Sequence, residues 1–198
     1  MLKNRFNNVL IIDNFDSFTY LISDYLKSLG CNTLIVRNDI LPSETIFDFD
    51  LLVLSPGPSS PKESNYLINY IDVYHLSKPI LGMCLGYQAI LEYFGAKLEQ
   101  IEPVHGQSEL IYHDKKTIYH GMTSPIKVGR YHSLAVKTIP LEFEVSGRTK
   151  SDIVMSVRHK TLPIEGIQFH PESVLSFYKQ NDKRIFSNIV FKYFSNCF

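Results

Sequence analysis

Three side chains in this 198-residue sequence, Cys84, His170 and Glu172, have the types and spacing for acyl transfer. Cys84 sits in "PILGMCLGYQ" (79–88), at the end of a short apolar run and between Gly82 and Gly86. A thiolate used as a nucleophile needs a base, and the base needs a group that fixes its tautomer. His170 and Glu172, in "GIQFHPES", suit those two tasks. Residues two apart in extended chain share a side, so Glu172 could accept from one ring nitrogen and leave the other to face sulfur. Each residue also has an ordinary reading. Cys84 could be a small buried hydrophobe, as most free cysteines are. His170 could belong to a cap region before a last short helix, and Glu172 could be a solvated surface acid.

A parallel sheet would bring them together. "VLIID" (9–13), "TLIVR" (33–37), "LLVLS" (51–55) and "PILGM" (79–83) read as buried strands. Between them lie helical stripes: Phe18, Leu21, Ile22, Tyr25, Leu26 and Leu29, then Leu67, Tyr70, Ile71 and Tyr74, then "GYQAILEYFG" (86–95). This alternation predicts an α/β fold whose sheet is covered on both faces. Short β-like runs in the second half, "IKVGRYHSLAV", "FEVSGR" and "DIVMSVRH", predict antiparallel additions. Phe186, Ile189, Val190 and Tyr193 mark a closing amphipathic helix.

Ligands of such sheets bind outside the carboxyl ends of the strands, where Cys84 falls. A strand–Cys–helix corner forces a tight turn, which would account for the two glycines. It also aims the first helical N–H groups and the positive end of the dipole at the sulfur, favouring thiolate. His170 ends the apolar run "IEGIQF" and should emerge on the same edge. Oxyanion donors are needed as well. The Leu85 N–H directly follows the nucleophile. Gly57, in "SPGPSSP", is the residue there that lets backbone approach a ligand closely, unless the segment is a plain proline-rich turn. Gln88 lies one helical turn past Cys84 and could face the same pocket, or could be a capping or surface glutamine.

Composition narrows the partners. A formal net charge of zero argues against nucleic acid or an anionic membrane as the main partner. No apolar run approaches the roughly 18 to 20 residues of a membrane span. "MLKNRFNN" leads straight into a strand, so no signal peptide is expected. Cys31, Cys84 and Cys197 are few, odd in number and far apart, which reads as reduced thiols in a cytoplasmic protein. No linker splits the chain, and a single domain over 1–198 is expected. A flavodoxin-like binding module for phosphate or nucleotide would carry a Gly-rich loop after the first strand. "DNFDSF" instead puts two acids there, which would repel phosphate. Papain-like local signatures are missing too.

Six motifs in order, "IIDNFDSFTY", "LVLSPGP", "ILGMCLGYQAI", "GRYHSLAV", "MSVRH" and "EGIQFHPES", resemble those of the class I (triad-type) glutamine amidotransferases, over about residues 9–176. Within that family they are most similar to the glutaminase subunits of anthranilate synthase and of aminodeoxychorismate synthase. The resemblance implies a flavodoxin-like glutaminase fold and a thioester mechanism on L-glutamine. Cys84 would attack the side-chain amide. His170 would protonate departing ammonia and then activate water, and Glu172 would orient His170. Gly57 and Leu85 would hold the oxyanion, while Gln88, Ser133 and Leu134 would grip the glutamine backbone groups. It also implies a separate chorismate-binding large subunit, in trans, that receives the ammonia. Any magnesium would belong to that partner, since the histidines and carboxylates here lack metal-ligand spacing. The chain departs from the usual family pattern at Ser59, Tyr87 and Gln107, none of them in the triad. His132 reads as structural rather than catalytic.

Overall fold

The computed structural model describes residues 6–44 and 47–193. The sequence expectations for Cys197 and for the first residues of the chain lie outside this range. Among the described residues, nine strands form one mixed sheet in the order β2-β1-β3-β4-β9-β8-β7-β5-β6. β1 (Asn8–Asp13), β2 (Asn32–Arg37), β3 (Leu51–Leu54), β4 (Ile80–Met83) and β9 (Ile164–Ile167) run parallel. β5 (Leu98–His113), β6 (Ile126–Val136), β7 (Phe143–Thr149) and β8 (Val154–His159) extend the sheet antiparallel beyond β9.

The parallel strands read as unbroken apolar runs because both faces are covered. In β1, Val9 and Ile11 pack into one core with Ile22 and Leu26 of α1 (Phe18–Ser28) and with Ile185 and Ile189 of α4 (Asn181–Phe191). Leu10 and Ile12 point the other way, onto Tyr70 and Ile71 of α2 (Leu67–Tyr74) and Ile90 of α3 (Leu85–Tyr93). This is the two-residue period of a strand expressed as two cores.

Two details differ from the sequence expectation. Leu21 is 44% exposed, because Thr19, Ile22, Ser23 and Leu26 form the inward stripe of α1. The segment around His105–Gln107, which is not among the β-like runs expected from the sequence, lies within the sixteen-residue β5. Register shifts fall between Gln100 and Val104 and between His105 and Gln107. Pro103 cannot donate to a ladder, so it is accommodated where pairing slips. These irregularities hide the strand's alternation from a reading of the sequence.

Candidate active site

Cys84 occupies the corner between β4 and α3 and adopts φ +51°, ψ −102°. That backbone is one that L-residues rarely hold. The strained residue is therefore the cysteine itself. The flanking glycines serve a different end from the one the sequence suggests, because neither carries the turn. A Cβ on Gly86 would lie 2.3 Å from the Leu54 carbonyl oxygen, and one on Gly82 would lie 2.5 Å from the Gly86 oxygen. Their absent side chains let α3 press onto β3 and β4, so that the helix starts directly beneath the sulfur. The Cys84 N–H donates to the Ile167 carbonyl at 2.8 Å, tying the corner to β9.

The chain leaving β9 supplies the other two groups. The His170 N–H donates to the Gly129 carbonyl at 3.0 Å, and Ser176 Oγ donates to the His170 carbonyl. Ser173 caps the short turn that follows, accepting from the Leu175 N–H, so His170 is not the capping residue. His170 Nδ1 is 2.7 Å from Glu172 Oε1, and the two residues are 2% and 1% exposed. The imidazole is packed between Phe18 and Tyr131, with ring centroids 5.2 and 5.0 Å away. Burial alone would push His170 down. The Glu172 carboxylate and then the Cys84 sulfur outweigh it, and the net result lies well above the ordinary imidazole value. Nε2, the nitrogen turned from Glu172, is buried without an ideal hydrogen bond and feels Cys84 as its neighbour. A nucleophile–base pair often stands looser than ideal until substrate tightens it.

Sulfur has a second neighbour, which a reading of the sequence does not single out. Gln168 Nε2 lies 3.5 Å from Cys84 Sγ, and Gln168 is fully buried. Its Oε1 accepts from Gln88 Nε2 at 3.0 Å, and Gln88 Nε2 also reaches the Leu134 carbonyl at 3.5 Å. The available signal was spacing, since residues 168 and 170 would share a side if the chain ran on extended past β9.

A cavity of about 140 Å³ opens onto Cys84 and is lined also by Gly57, Ser59, Gln88, His132, Ser133 and Leu134. His170 and Glu172 are not part of this lining. Leu85 begins α3, so its N–H has no acceptor within the helix. Gly57 fits a site of close approach: a Cβ there would lie 2.5 Å from Asn14 Cβ and 2.7 Å from Leu85 Cδ2. Asparagines hold that loop in place. Asn14 Nδ2 donates to the Ser55 carbonyl at 2.8 Å, Asn38 donates to Asn14 at 2.8 Å, and Asn65 donates to Asn38 at 2.8 Å. Ser59, one of the departures from the family pattern, takes φ +64°, in the left-handed region that favours glycine.

His132 is neutral scaffolding. Arg130 Nε donates to its Nε2 at 3.0 Å, so the proton sits on Nδ1 and is given to the Leu134 carbonyl at 2.8 Å. Burial, aided by Arg130, pushes its pKa down to about 4. A larger cavity, about 780 Å³, is elsewhere. Ile164 and Tyr193 line it at the amino ends of β4 and β9, with Arg158 and Glu165, and its lining includes no cysteine. Among the described residues, no three His, Cys, Asp or Glu side chains are arranged to hold a metal ion. No helix among them is long and apolar enough to cross a membrane.

Comparison with known proteins places the chain in a family. The family described as Glutamine amidotransferase class-I matches residues 10–193. The chain is 42% identical over 183 residues to the aminodeoxychorismate/anthranilate synthase component 2 of Bacillus subtilis (strain 168), covering 90% of this chain and 94% of that one. It is 40% identical over 191 residues to the anthranilate synthase component 2 of Methanocaldococcus jannaschii, covering 95% and 94%. Among solved structures, a "putative gmp synthase subunit a protein" of Thermoplasma acidophilum superimposes with a TM-score of 0.82 at 32% identity, covering 93% and 92%.

Proposed function

The chain belongs to the class-I glutamine amidotransferases, and on that footing we propose that it is the glutaminase subunit of anthranilate synthase, working through a thioester on Cys84. The convergence of Cys84, His170 and Glu172 at one sheet edge carries this reading.

The Cys84 thiolate attacks the side-chain carbonyl carbon of glutamine. The Leu85 and Gly57 N–H groups receive the oxyanion. His170, held as imidazolium between Glu172 and the sulfur, gives its Nε2 proton to the departing ammonia. Nε2 then takes a proton from water as the water oxygen attacks the thioester. The thiolate leaves, glutamate is released, and His170 regains its proton. The sum is glutamine plus water to glutamate plus ammonia. Ser133 and Leu134 of β6, with Gln88, form the wall that grips the substrate's backbone groups.

Ammonia from this site goes to a separate chorismate-binding subunit, which also supplies any magnesium the second reaction needs. The relatives of 42% and 40% identity are both component 2 proteins of synthases, and they stand above the 32% of the structural relative. A second reading has specific support: the Bacillus subtilis relative is named for both aminodeoxychorismate and anthranilate synthase, so this subunit could serve either or both. The test is to mix the purified chain with each candidate large subunit, glutamine and chorismate, and to identify the aminated product. Anthranilate, with glutamate release that rises on binding the large subunit, supports the first reading. Aminodeoxychorismate alone supports the second, and no glutamate in any mixture overturns both.

A further inference from the structure

We propose that Gln168 is a positioning residue that sets the orientation of the Gln88 amide, so that Gln88 presents its carbonyl oxygen to the α-ammonium of the substrate. This rests on the glutaminase reading and extends it to two amides whose order can be derived.

The sulfur sets the order of the two amides. A thiolate only accepts, so whichever end of the Gln168 amide faces Cys84 must be the N–H end. Gln168 Nε2 is the atom found there, at 3.5 Å. The carbonyl end of Gln168 is thereby turned away, and it accepts from Gln88 Nε2 at 3.0 Å. The second hydrogen of Gln88 Nε2 is directed to the Leu134 carbonyl at 3.5 Å. Both donors of Gln88 are then committed to protein. What the side chain has left for the cavity it lines is its carbonyl oxygen. A carbonyl oxygen accepts from an ammonium and repels a carboxylate. Gln88 therefore selects the α-amino end of an amino-acid substrate, and the charge on the nucleophile decides which end of Gln88 is shown.

Gln168 is suited to this work. It is 0% exposed, and its own N–H is fixed to the Met155 carbonyl at 2.8 Å. The Leu134 carbonyl that completes the arrangement is held from its other side by the Nδ1–H of His132, which Arg130 keeps in one tautomer. Flipping the Gln88 amide would set its oxygen against two acceptors, Gln168 Oε1 and the Leu134 carbonyl.

The experiment compares L-glutamine with glutaramate, which is glutamine without its α-amino group. The ratio of kcat/KM for the two substrates reads α-amino selection and is insensitive to a uniform loss of active enzyme. Gln168→Met removes both hydrogen-bonding ends and should lower that ratio about ten- to hundredfold, the worth of one hydrogen bond to a charged group. Gln88→Met should lower it by a similar factor, and the double variant by no more than the larger single loss. Gln168→Glu gives a second, separable result. Its carboxylate can still accept from Gln88 but cannot donate to sulfur. Selection should persist, while iodoacetamide inactivation of Cys84 shifts to higher pH. Retained selection in Gln168→Met, losses that multiply in the double variant, or selection lost in Gln168→Glu would each overturn the inference. A wild-type chain that hydrolyses neither substrate would instead overturn the glutaminase reading beneath it.

Discussion

His170 Nδ1 stands 2.7 Å from Glu172 Oε1, with both side chains nearly sealed from solvent. Residues 170–172 form a turn rather than the extended chain expected from the sequence, closed by the Ser173 N–H donating to the His170 carbonyl at 3.3 Å, and the turn brings the two side chains together with no loop motion needed. Their hydrogen bond settles which nitrogen does what: Nδ1–H is given to the carboxylate, and Nε2 is left on the side of Cys84.

Glu172→Gln keeps the shape of this pair and removes its charge. Burial already opposes the imidazolium, so loss of the next largest influence should bring the His170 titration down toward or below the ordinary imidazole range. An NMR titration of the ring measures this directly. Turnover should fall about a hundredfold or more, the usual worth of a positioned acid–base group. The linkage has a definite sign. Because the folded value lies above the unfolded one of about 6.5, the stability from His170 is complete below that pH and is lost as pH rises through the raised value. The variant should lose that alkaline slope in urea unfolding.

His132 makes the opposite prediction. Its folded value is down at about 4, so the unfolded chain takes up a proton first as the pH falls. Between about 6.5 and 4 this one group should cost about 1.4 kcal/mol of stability per pH unit. Gln at position 132 can accept from Arg130 and donate to the Leu134 carbonyl without titrating. Urea unfolding of His132→Gln should show an acid limb shallower by one proton.

Cys84 holds its positive φ at a cost of about 1 to 3 kcal/mol in backbone strain. Cys84→Ala keeps that strain and Cys84→Gly releases it. After glycine's greater loss of chain entropy, Cys84→Gly should be the more stable by about 1 kcal/mol. Equilibrium unfolding of the two inactive variants measures the difference.

The Tyr87 hydroxyl is buried without a hydrogen-bond partner, and burial pushes the phenol up. Its ring packs over Gly166, where a Cβ would come within 2.7 Å of Tyr87 Cδ2. Tyr87→Phe preserves the packing and removes the orphaned polar atom. Calorimetry should show a gain of about 1 kcal/mol, or roughly 2 to 4 °C in Tm.

Legibility in the sequence followed regularity. β1, β3 and β4 are unbroken apolar runs, because helices cover both faces, and they could be read as strands directly. Cys84 and His170 were legible because strand ends are a one-dimensional signal; Glu172 was legible by its nearness, although a turn and not extended chain brings it to His170. β5 was not, since Pro103, Gly106 and two register shifts break its period. Glycine at 82 and 86 was visible, but its reason was not: the approach of the Leu54 carbonyl to α3 exists only once the sheet is assembled. Gln168 looked like an ordinary strand residue. Its part depends on meeting Gln88, eighty positions away, above the same sulfur.

The central claim is a covalent glutamyl thioester on Cys84, and acid quenching during turnover tests it most directly. Mass spectrometry of the digested protein should find the glutamyl group on the peptide that contains Cys84. Cys84→Ala, folded by circular dichroism, should give neither adduct nor glutamate. Glutamate release that persists in Cys84→Ala, or an adduct on any other residue during turnover, would contradict the account.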